Sequence, residues 1–132
     1  MVNSLSDVRK GDHIIHCVTK FPYRPMFQSA LVIDSSDEED TILIIRNSMN
    51  GIEENTFAFN SIQFPYKVIY DCEAVELFNG DEAIQRARNR RQMGETRDHY
   101  CPLFNNSHHF VTWAKSGSEY PLSDIIQSEL SF

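Results

Sequence analysis

The segment 41–47, with the sequence TILIIRN, constrains the fold more than any other part of the chain. Its four central residues are all apolar, and three of them are Ile, which favours extended strands. Neighbouring side chains on a strand point to opposite faces, so this unbroken run predicts a strand that is buried on both faces. The sheet that contains it therefore needs cover on each side.

Further strands are predicted before and after this segment. The candidate ranges are rich in β-branched and aromatic residues: 13–18, 27–34, 52–59 and, after Pro65, 68–70. The acidic stretch 34–40 (DSSDEED) must face water and predicts a turn. Asn50-Gly51 is a dipeptide typical of tight turns.

Two helices are predicted in the second half of the chain. After Gly80 the apolar spacing becomes helical, and Asp81 can cap a helix that runs to about Met93. The segment 105–107 (NNS) can cap a second helix at about 108–114. Strands followed by helices indicate a segregated α+β domain.

Composition and charge limit the possible functions. A chain of 132 residues with 41% hydrophobic residues is expected to form one domain, 1–132, with its own core. The net charge of −7 argues against nucleic acid as a partner, because domains that bind phosphate backbones carry a basic footprint. Four arginines, at positions 86, 88, 90 and 91, form either a solvated helix face or a contact for an anionic partner.

The cysteines indicate a reducing compartment. Cys17, Cys72 and Cys101 form no CxxC pair and show no metal-ligand spacing, so neither a metal nor another cofactor is expected. The polar start of the chain does not resemble a signal peptide, and no apolar run approaches the roughly 18 residues of a transmembrane helix. We therefore expect a cytoplasmic protein, either free or associated with a membrane surface, without a transmembrane segment.

Several short motifs and their order resemble the lecithin:retinol acyltransferase-like (LRAT-like) family. The segment 11–14 (GDHI) is similar to the start of that family's first strand, and 105–111 (NNSHHFV) is similar to its NNCEHFV block. Between them, 28–33 (QSALVI) is similar to the family strand that begins with a His, and 83–91 matches a basic helix. The similarity spans about residues 8–117 and leaves the tail 118–132 outside it.

The resemblance implies a circularly permuted papain-like fold, related to NlpC-type peptidases, with a small antiparallel sheet beside helices. Family members are thiol acyltransferases or phospholipases in which a Cys attacks an ester carbonyl, a His activates it and a further polar residue orients that His. In this sequence the Cys position holds Ser107, the His position holds Gln28, and the orienting position falls near Ile44 or Ile45. We expect Gln28 and Ser107 to lie close together across a cleft.

These substitutions remove the family's chemistry. A free thiol has a pKa near 8.5 and becomes a thiolate with modest help, whereas a Ser hydroxyl needs a general base. Gln28 carries a neutral amide, which does not accept a proton near pH 7. If the natural residue at 107 were Cys, Gln28 would still leave it without a paired base.

The histidines do not restore a base by their positions. His108 and His109 follow Ser107 by one and two residues, and such neighbours on a helix point away from each other. His13 and His16 are three residues apart, so on a strand they point to opposite faces and at most one of them borders a cleft.

Three functions remain open from the sequence. The first is a catalytically degenerate LRAT-like domain that binds a protein partner or a lipid-like ligand. The second is an acyltransferase or phospholipase-type hydrolase that uses Ser107 with another base. The third is a regulatory protein that uses the fold as a scaffold. Reaction with an activated ester would favour the second function, and a large exposed apolar patch would favour the third.

Overall fold

The computed structural model describes residues 2–20, 24–48, 51–71, 76–93 and 107–118. Cys72, Cys101, Asn50, the segment 105–106 and the tail beyond 118 lie outside these ranges. The described ranges contain five strands and two α-helices: β1 (His13–Lys20), β2 (Arg24–Ser36), β3 (Thr41–Ser48), β4 (Gly51–Ala58), β5 (Gln63–Lys67), α1 (Gly80–Met93) and α2 (Ser107–Ser116). Short 3-10 turns lie at Leu5–Asp7 and Phe59–Ser61.

The five strands form one antiparallel sheet in the order β4-β3-β2-β1-β5. The sheet and the two helices confirm the α+β class that the order of the sequence patterns predicts. Burial of β3 on both faces is also confirmed, because Ile42, Ile44 and Ile45 have no exposed surface.

The sheet is curled rather than flat. Its two edge strands, β4 and β5, are joined by residues 59–62 alone, and three of these form a 3-10 turn. In a flat sheet of five strands the two edges would lie about 19 Å apart. Residues 59–62 can span only about 13 Å, because the three residues of the 3-10 turn rise only about 2 Å each. The edges must therefore approach each other, which makes one face of the sheet concave.

Each face of the sheet has its own cover. On the first, which we call the helix face, Leu31, Ile33 and Ile45 pack against apolar side chains of α1 and α2. On the second, which we call the concave face, the sheet contributes Ile14, Ala30, Val32, Ile42 and Ile44, and the N-terminal segment covers them with Val2, Leu5 and Val8. No helix within the described ranges is long and apolar enough to cross a bilayer.

Two local predictions need correction. The last strand is Gln63–Lys67 rather than 68–70, and it accommodates Pro65 because β5 is an edge strand that pairs only with β1. The cap of α1 is Asn79 rather than Asp81. The Asn79 side-chain oxygen accepts a hydrogen bond from the backbone N–H of Glu82 at 2.9 Å, so the helix begins two residues earlier than a cap at Asp81 would allow.

The arginines of α1 are not simply a solvated face. The Arg86 guanidinium lies 4.4 Å from the ring centre of Phe78 and 4.3 Å from that of Trp113, and it donates to two carbonyls in the last turn of α2. Arg88 forms an ion pair with Glu54 on β4 at 2.7 Å. These contacts hold α1 against α2 and the sheet, which corrects the interpretation of the cluster as a solvent-facing stripe.

The start of α1 packs against the start of β1 at two glycines. A Cβ atom on Gly80 would lie 2.6 Å from the carbonyl oxygen of Lys10, and a Cβ on Gly11 would overlap the backbone of Gly80. Gly11 also has a φ of 85°, in the left-handed region that other residues rarely adopt. This close approach fixes the distance between α1 and the first strand.

We expect Gly80→Ala to destabilise the protein by about 1–3 kcal/mol, because the new methyl group must displace backbone rather than a flexible side chain. Helix propensity alone would favour Ala, so the sign of the change reports the clash. Urea unfolding at pH 7 measures the effect. The control Gln85→Ala, at an exposed position of α1, should change the free energy of unfolding by less than about 0.5 kcal/mol. Equal or higher stability of Gly80→Ala would contradict the close packing.

Candidate functional site

Ser107, which the sequence resemblance aligns with a nucleophile position, is the first residue of α2 and is 4% exposed. Its hydroxyl oxygen accepts a hydrogen bond from the backbone N–H of Ser29 on β2 at 3.1 Å. No imidazole in the described part of the chain lies within hydrogen-bonding distance of this hydroxyl. Ser107 is therefore tied to the main chain of β2 and not to a base.

Ser29 is the centre of a buried polar network. Its hydroxyl lies 2.6 Å from Nε2 of His13 and 2.6 Å from Nδ1 of His108. The other ring nitrogen of His13, Nδ1, lies 2.7 Å from the hydroxyl of Tyr70. Ser29 has no exposed surface and His108 is partly exposed, so the network lies between the sheet and α2 with His108 at its outer end.

The protons of this network can be arranged so that every contact has one donor and one acceptor. In one direction, Tyr70 donates its O–H to Nδ1 of His13, Nε2–H of His13 donates to Ser29, and Ser29 donates to Nδ1 of His108. In the other direction, Nδ1–H of His108 donates to Ser29 and the remaining bonds are reversed. Both arrangements use neutral rings, so the network needs no buried charge.

Burial keeps both imidazoles neutral at pH 7. Desolvation, with smaller contributions from His108 and Lys115, holds the pKa of His13 well below 6.5. Burial, with a smaller contribution from His109, lowers the pKa of His108 to about 4. Burial also raises the pKa of Tyr70 above its ordinary value of 10.0. None of these groups has a pKa near 7, where a general base is most effective.

Lys115 connects the last turn of α2 to the start of β1. Its Nζ donates to the carbonyl oxygen of Gly11 at 2.6 Å and lies 5.4 Å from the ring centre of Tyr70. Burial lowers the pKa of Lys115, and the carboxylate of Asp12 opposes that shift. The GDHI segment (11–14) is thus hydrogen-bonded to the last turn of α2, close to the Tyr70 end of the network.

Gln28, which the sequence resemblance aligns with a base position, faces away from Ser107. Successive side chains alternate on a strand, and Ser29 faces the helices. The Gln28 side-chain oxygen accepts a hydrogen bond from Nη1 of Arg46 at 3.3 Å on the concave face. The expected meeting of Gln28 and Ser107 across a cleft is therefore not found, and the β2 residue that contacts Ser107 is Ser29.

The concave face contains a groove of about 300 Å³ near the curled edges of the sheet. Its lining combines polar and apolar residues: His16, Cys17, Ile44, Arg46, Phe57, Ser61, Ile62 and Gln63. His13 and His16 lie on opposite faces, as their spacing predicts, and His16 is the one that borders this groove. The family's orienting position near Ile44 or Ile45 is apolar in either case and cannot orient an imidazole.

Two side chains at the groove have buried nitrogens without a protein partner. Among the described residues, neither Nε2 of His16 nor Nε of Arg46 has a hydrogen-bond partner. Burial, with a smaller contribution from Arg46, lowers the pKa of His16 to about 4, so its ring is neutral at pH 7. The groove therefore offers one fixed positive charge and one neutral imidazole.

In comparisons with known proteins, no protein-family model, curated protein or solved structure matches this chain. Within the described ranges, no group of three or more His, Cys, Asp or Glu side chains could hold a metal ion. Two polar features of the described residues bear on function: the network at Ser29 and the groove at Arg46.

Sequence reasoning missed Ser29, Tyr70, Lys115 and Arg46. Ser29 follows Gln28 directly, and strand alternation would have separated the two had the face of β2 been known. Tyr70 and Lys115 reach the network from distant parts of the chain, so no local pattern marks them. Arg46 ends an apolar run, which was the one local signal that it borders the core.

We expect the protein to lose stability as the pH falls from about 6.5 towards 4. A histidine whose pKa is lower in the folded state binds its proton first in the unfolded chain, so protonation favours unfolding in this window and has no effect above it. His13 is fully buried and contributes up to about 2 kcal/mol of this loss between pH 6.5 and 5, and the less deeply buried His16 and His108 contribute less. Urea midpoints at pH 7, 6 and 5 measure it. His108→Asn should flatten the profile, and an unchanged profile would contradict the low pKa of His108.

We expect Gln28→His to leave the reactivity of a thiol at position 107 unchanged, because residue 28 faces away from it. The comparison is Ser107→Cys against Ser107→Cys with Gln28→His, with Cys17, Cys72 and Cys101 replaced by Ala. The pH dependence of alkylation by iodoacetamide gives the thiol pKa. Gln85→His, on the exposed surface of α1, controls for a remote histidine. A thiol pKa lowered by one unit or more through Gln28→His alone would show that position 28 reaches position 107.

Proposed function

We propose that this chain is a catalytically degenerate LRAT-like domain with a circularly permuted papain-like fold, and that it acts by binding a protein partner or a lipid-like ligand. The family relationship rests on the motifs at 11–14 and 105–111. It is supported by a small antiparallel sheet beside helices and by Ser107 at the first position of a helix that packs on β2.

One observation carries the loss of chemistry: the only hydrogen-bond partner of the Ser107 hydroxyl among the described residues is the backbone N–H of Ser29. That bond uses the hydroxyl as an acceptor and does nothing to remove its proton. The dipole of a helix N-terminus supplies about 0.3–1 kcal/mol, which is less than one pKa unit and far too little to ionise a hydroxyl. Without a general base, Ser107 is a poor nucleophile.

The histidines that might serve as a base are engaged elsewhere. Both His13 and His108 direct a ring nitrogen at Ser29 and not at Ser107. Ser29 itself has two imidazoles within 2.6 Å, which is the geometry of an activated serine, but it has no exposed surface. An ester cannot reach a fully buried hydroxyl, so the network supports the fold and leaves neither Ser29 nor Ser107 as a working nucleophile.

Binding is the activity that the remaining features favour. The concave groove has the volume of a small ligand site and lies on the face opposite to Ser107. The net charge of −7 and the use of Arg86 and Arg88 in internal contacts argue against nucleic acid. The proposal places the protein in the cytoplasm, free or at a membrane surface, where the thiol of Cys17 stays reduced.

The alternative function, a hydrolase or acyltransferase that uses Ser107, makes the opposite prediction for ester turnover. We expect the protein to release no fatty acid from phosphatidylcholine vesicles and no nitrophenol from p-nitrophenyl butyrate above the rate of Ser107→Ala. Ser35→Ala, at an exposed serine of β2, is the matched control. Steady turnover in the wild type and in Ser35→Ala that disappears in Ser107→Ala would overturn the proposal in favour of a serine hydrolase.

A further inference from the structure

The concave groove is separate from the family's catalytic position. Its lining comes from β1, β3, β4 and the link into β5, whereas Ser107 and the Ser29 network lie under the helices. The sheet stands between the two, with Ala30 and Leu31 filling its opposite faces at β2. A ligand in this groove therefore needs nothing from the degenerate catalytic residues.

Arg46 gives the groove a positive charge that no carboxylate of the described residues neutralises. Its guanidinium donates to the uncharged amide of Gln28 and lies 5.7 Å from the ring centre of Phe57. Glu53 is its Cα partner on β4, yet no ion pair joins Arg46 to any carboxylate of the described residues. Among the described residues, the lining contains no acidic side chain. A half-buried guanidinium without a carboxylate partner is stabilised by an anion that enters from outside.

His16 adds a second polar group beside this charge. Only 7% of its surface is exposed, and its Nε2 has no hydrogen-bond partner among the described residues. Arg46 on β3 and His16 on β1 thus border the same groove, with the guanidinium as its charged donor and the neutral imidazole as a polar neighbour.

The remaining lining residues favour a ligand with an apolar chain. Ile44, Phe57 and Ile62 belong to or pack on the apolar cluster of the concave face, so they offer an apolar wall next to the polar end. A volume of about 300 Å³ is at the lower limit of small-molecule sites and is too small for a diacyl lipid. One guanidinium matches a carboxylate, which it can hold with two parallel hydrogen bonds.

We propose that the concave groove binds a small monocarboxylate with an apolar chain, with the carboxylate at Arg46 and His16 and the chain along Ile44, Phe57 and Ile62. This inference rests on the proposed function of the domain as a binding module, and it names the site and the chemical class of one ligand. Binding requires no covalent step and leaves Ser107 uninvolved.

The test is a calorimetric titration of the full 132-residue protein with octanoate. We expect saturable binding with a dissociation constant below about 1 mM, and binding at least about tenfold weaker for octanamide, which has the same chain without the charge. Acetate, which has the charge without the chain, should show no saturable binding. Saturable octanoate binding that octanamide matches in affinity, or no octanoate binding at all, would overturn the proposal.

Variants locate the ligand. Arg46→Gln should weaken octanoate binding about 10- to 100-fold, because it removes one charged hydrogen-bond donor. The control is Arg9→Gln, which makes the same chemical change at an exposed position and should leave the affinity unchanged. Ser61 lies at the exposed rim of the groove, so Ser61→Trp should fill the groove and abolish binding while the core stays intact. This second variant tests the site even if Arg46→Gln fails to fold. Unchanged affinity in Ser61→Trp refutes the site.

The two proposals fail in different experiments. Ester turnover that depends on Ser107 would refute the loss of catalysis and leave octanoate binding at Arg46 untouched. An absence of octanoate binding, together with an absence of turnover, would refute this groove as a carboxylate site and leave a protein partner as the target of the domain.

Discussion

The arrangement of the molecule depends on one buried hydroxyl, that of Ser29. Two imidazoles, from His13 on β1 and His108 on α2, share it at 2.6 Å, and the backbone N–H of the same residue holds the hydroxyl of Ser107. This one residue therefore fixes α2 on the sheet through two hydrogen bonds and joins β2 to β1 through a third. Because Ser29 has no exposed surface, leaving any of these bonds unmade would cost about 1–3 kcal/mol.

The same network differs from the arrangement that nucleophilic catalysis at Ser107 would need. An active site of this type needs an exposed nucleophile and an imidazole directed at it. Here the imidazoles are directed at a serine without exposed surface, and the serine at the start of the helix has a main-chain partner. The polar groups that could have supported catalysis are used to join secondary-structure elements.

Strand alternation divides the polar residues of the sheet between two separate environments. His13 and Ser29 face the helices, while His16, Gln28 and Arg46 face the concave side, where the curl of the sheet opens a groove. A shift of one residue in β2 would exchange Gln28 and Ser29 and would change both environments at once. The two environments therefore lie on opposite faces of the sheet.

The sequence by itself determined the α+β class, the doubly buried strand β3 and the absence of a base at Gln28, because these follow from local apolar spacing and from side-chain chemistry. It predicted the limits of β5 and the cap of α1 incorrectly, since an edge strand can contain Pro65 and a neighbouring Asn can cap in place of Asp81. Only the tertiary structure decided which face of β2 meets α2, because the register of a strand depends on its partners. That choice, and not the residue types, gave Ser107 a backbone partner and placed Arg46 in a groove.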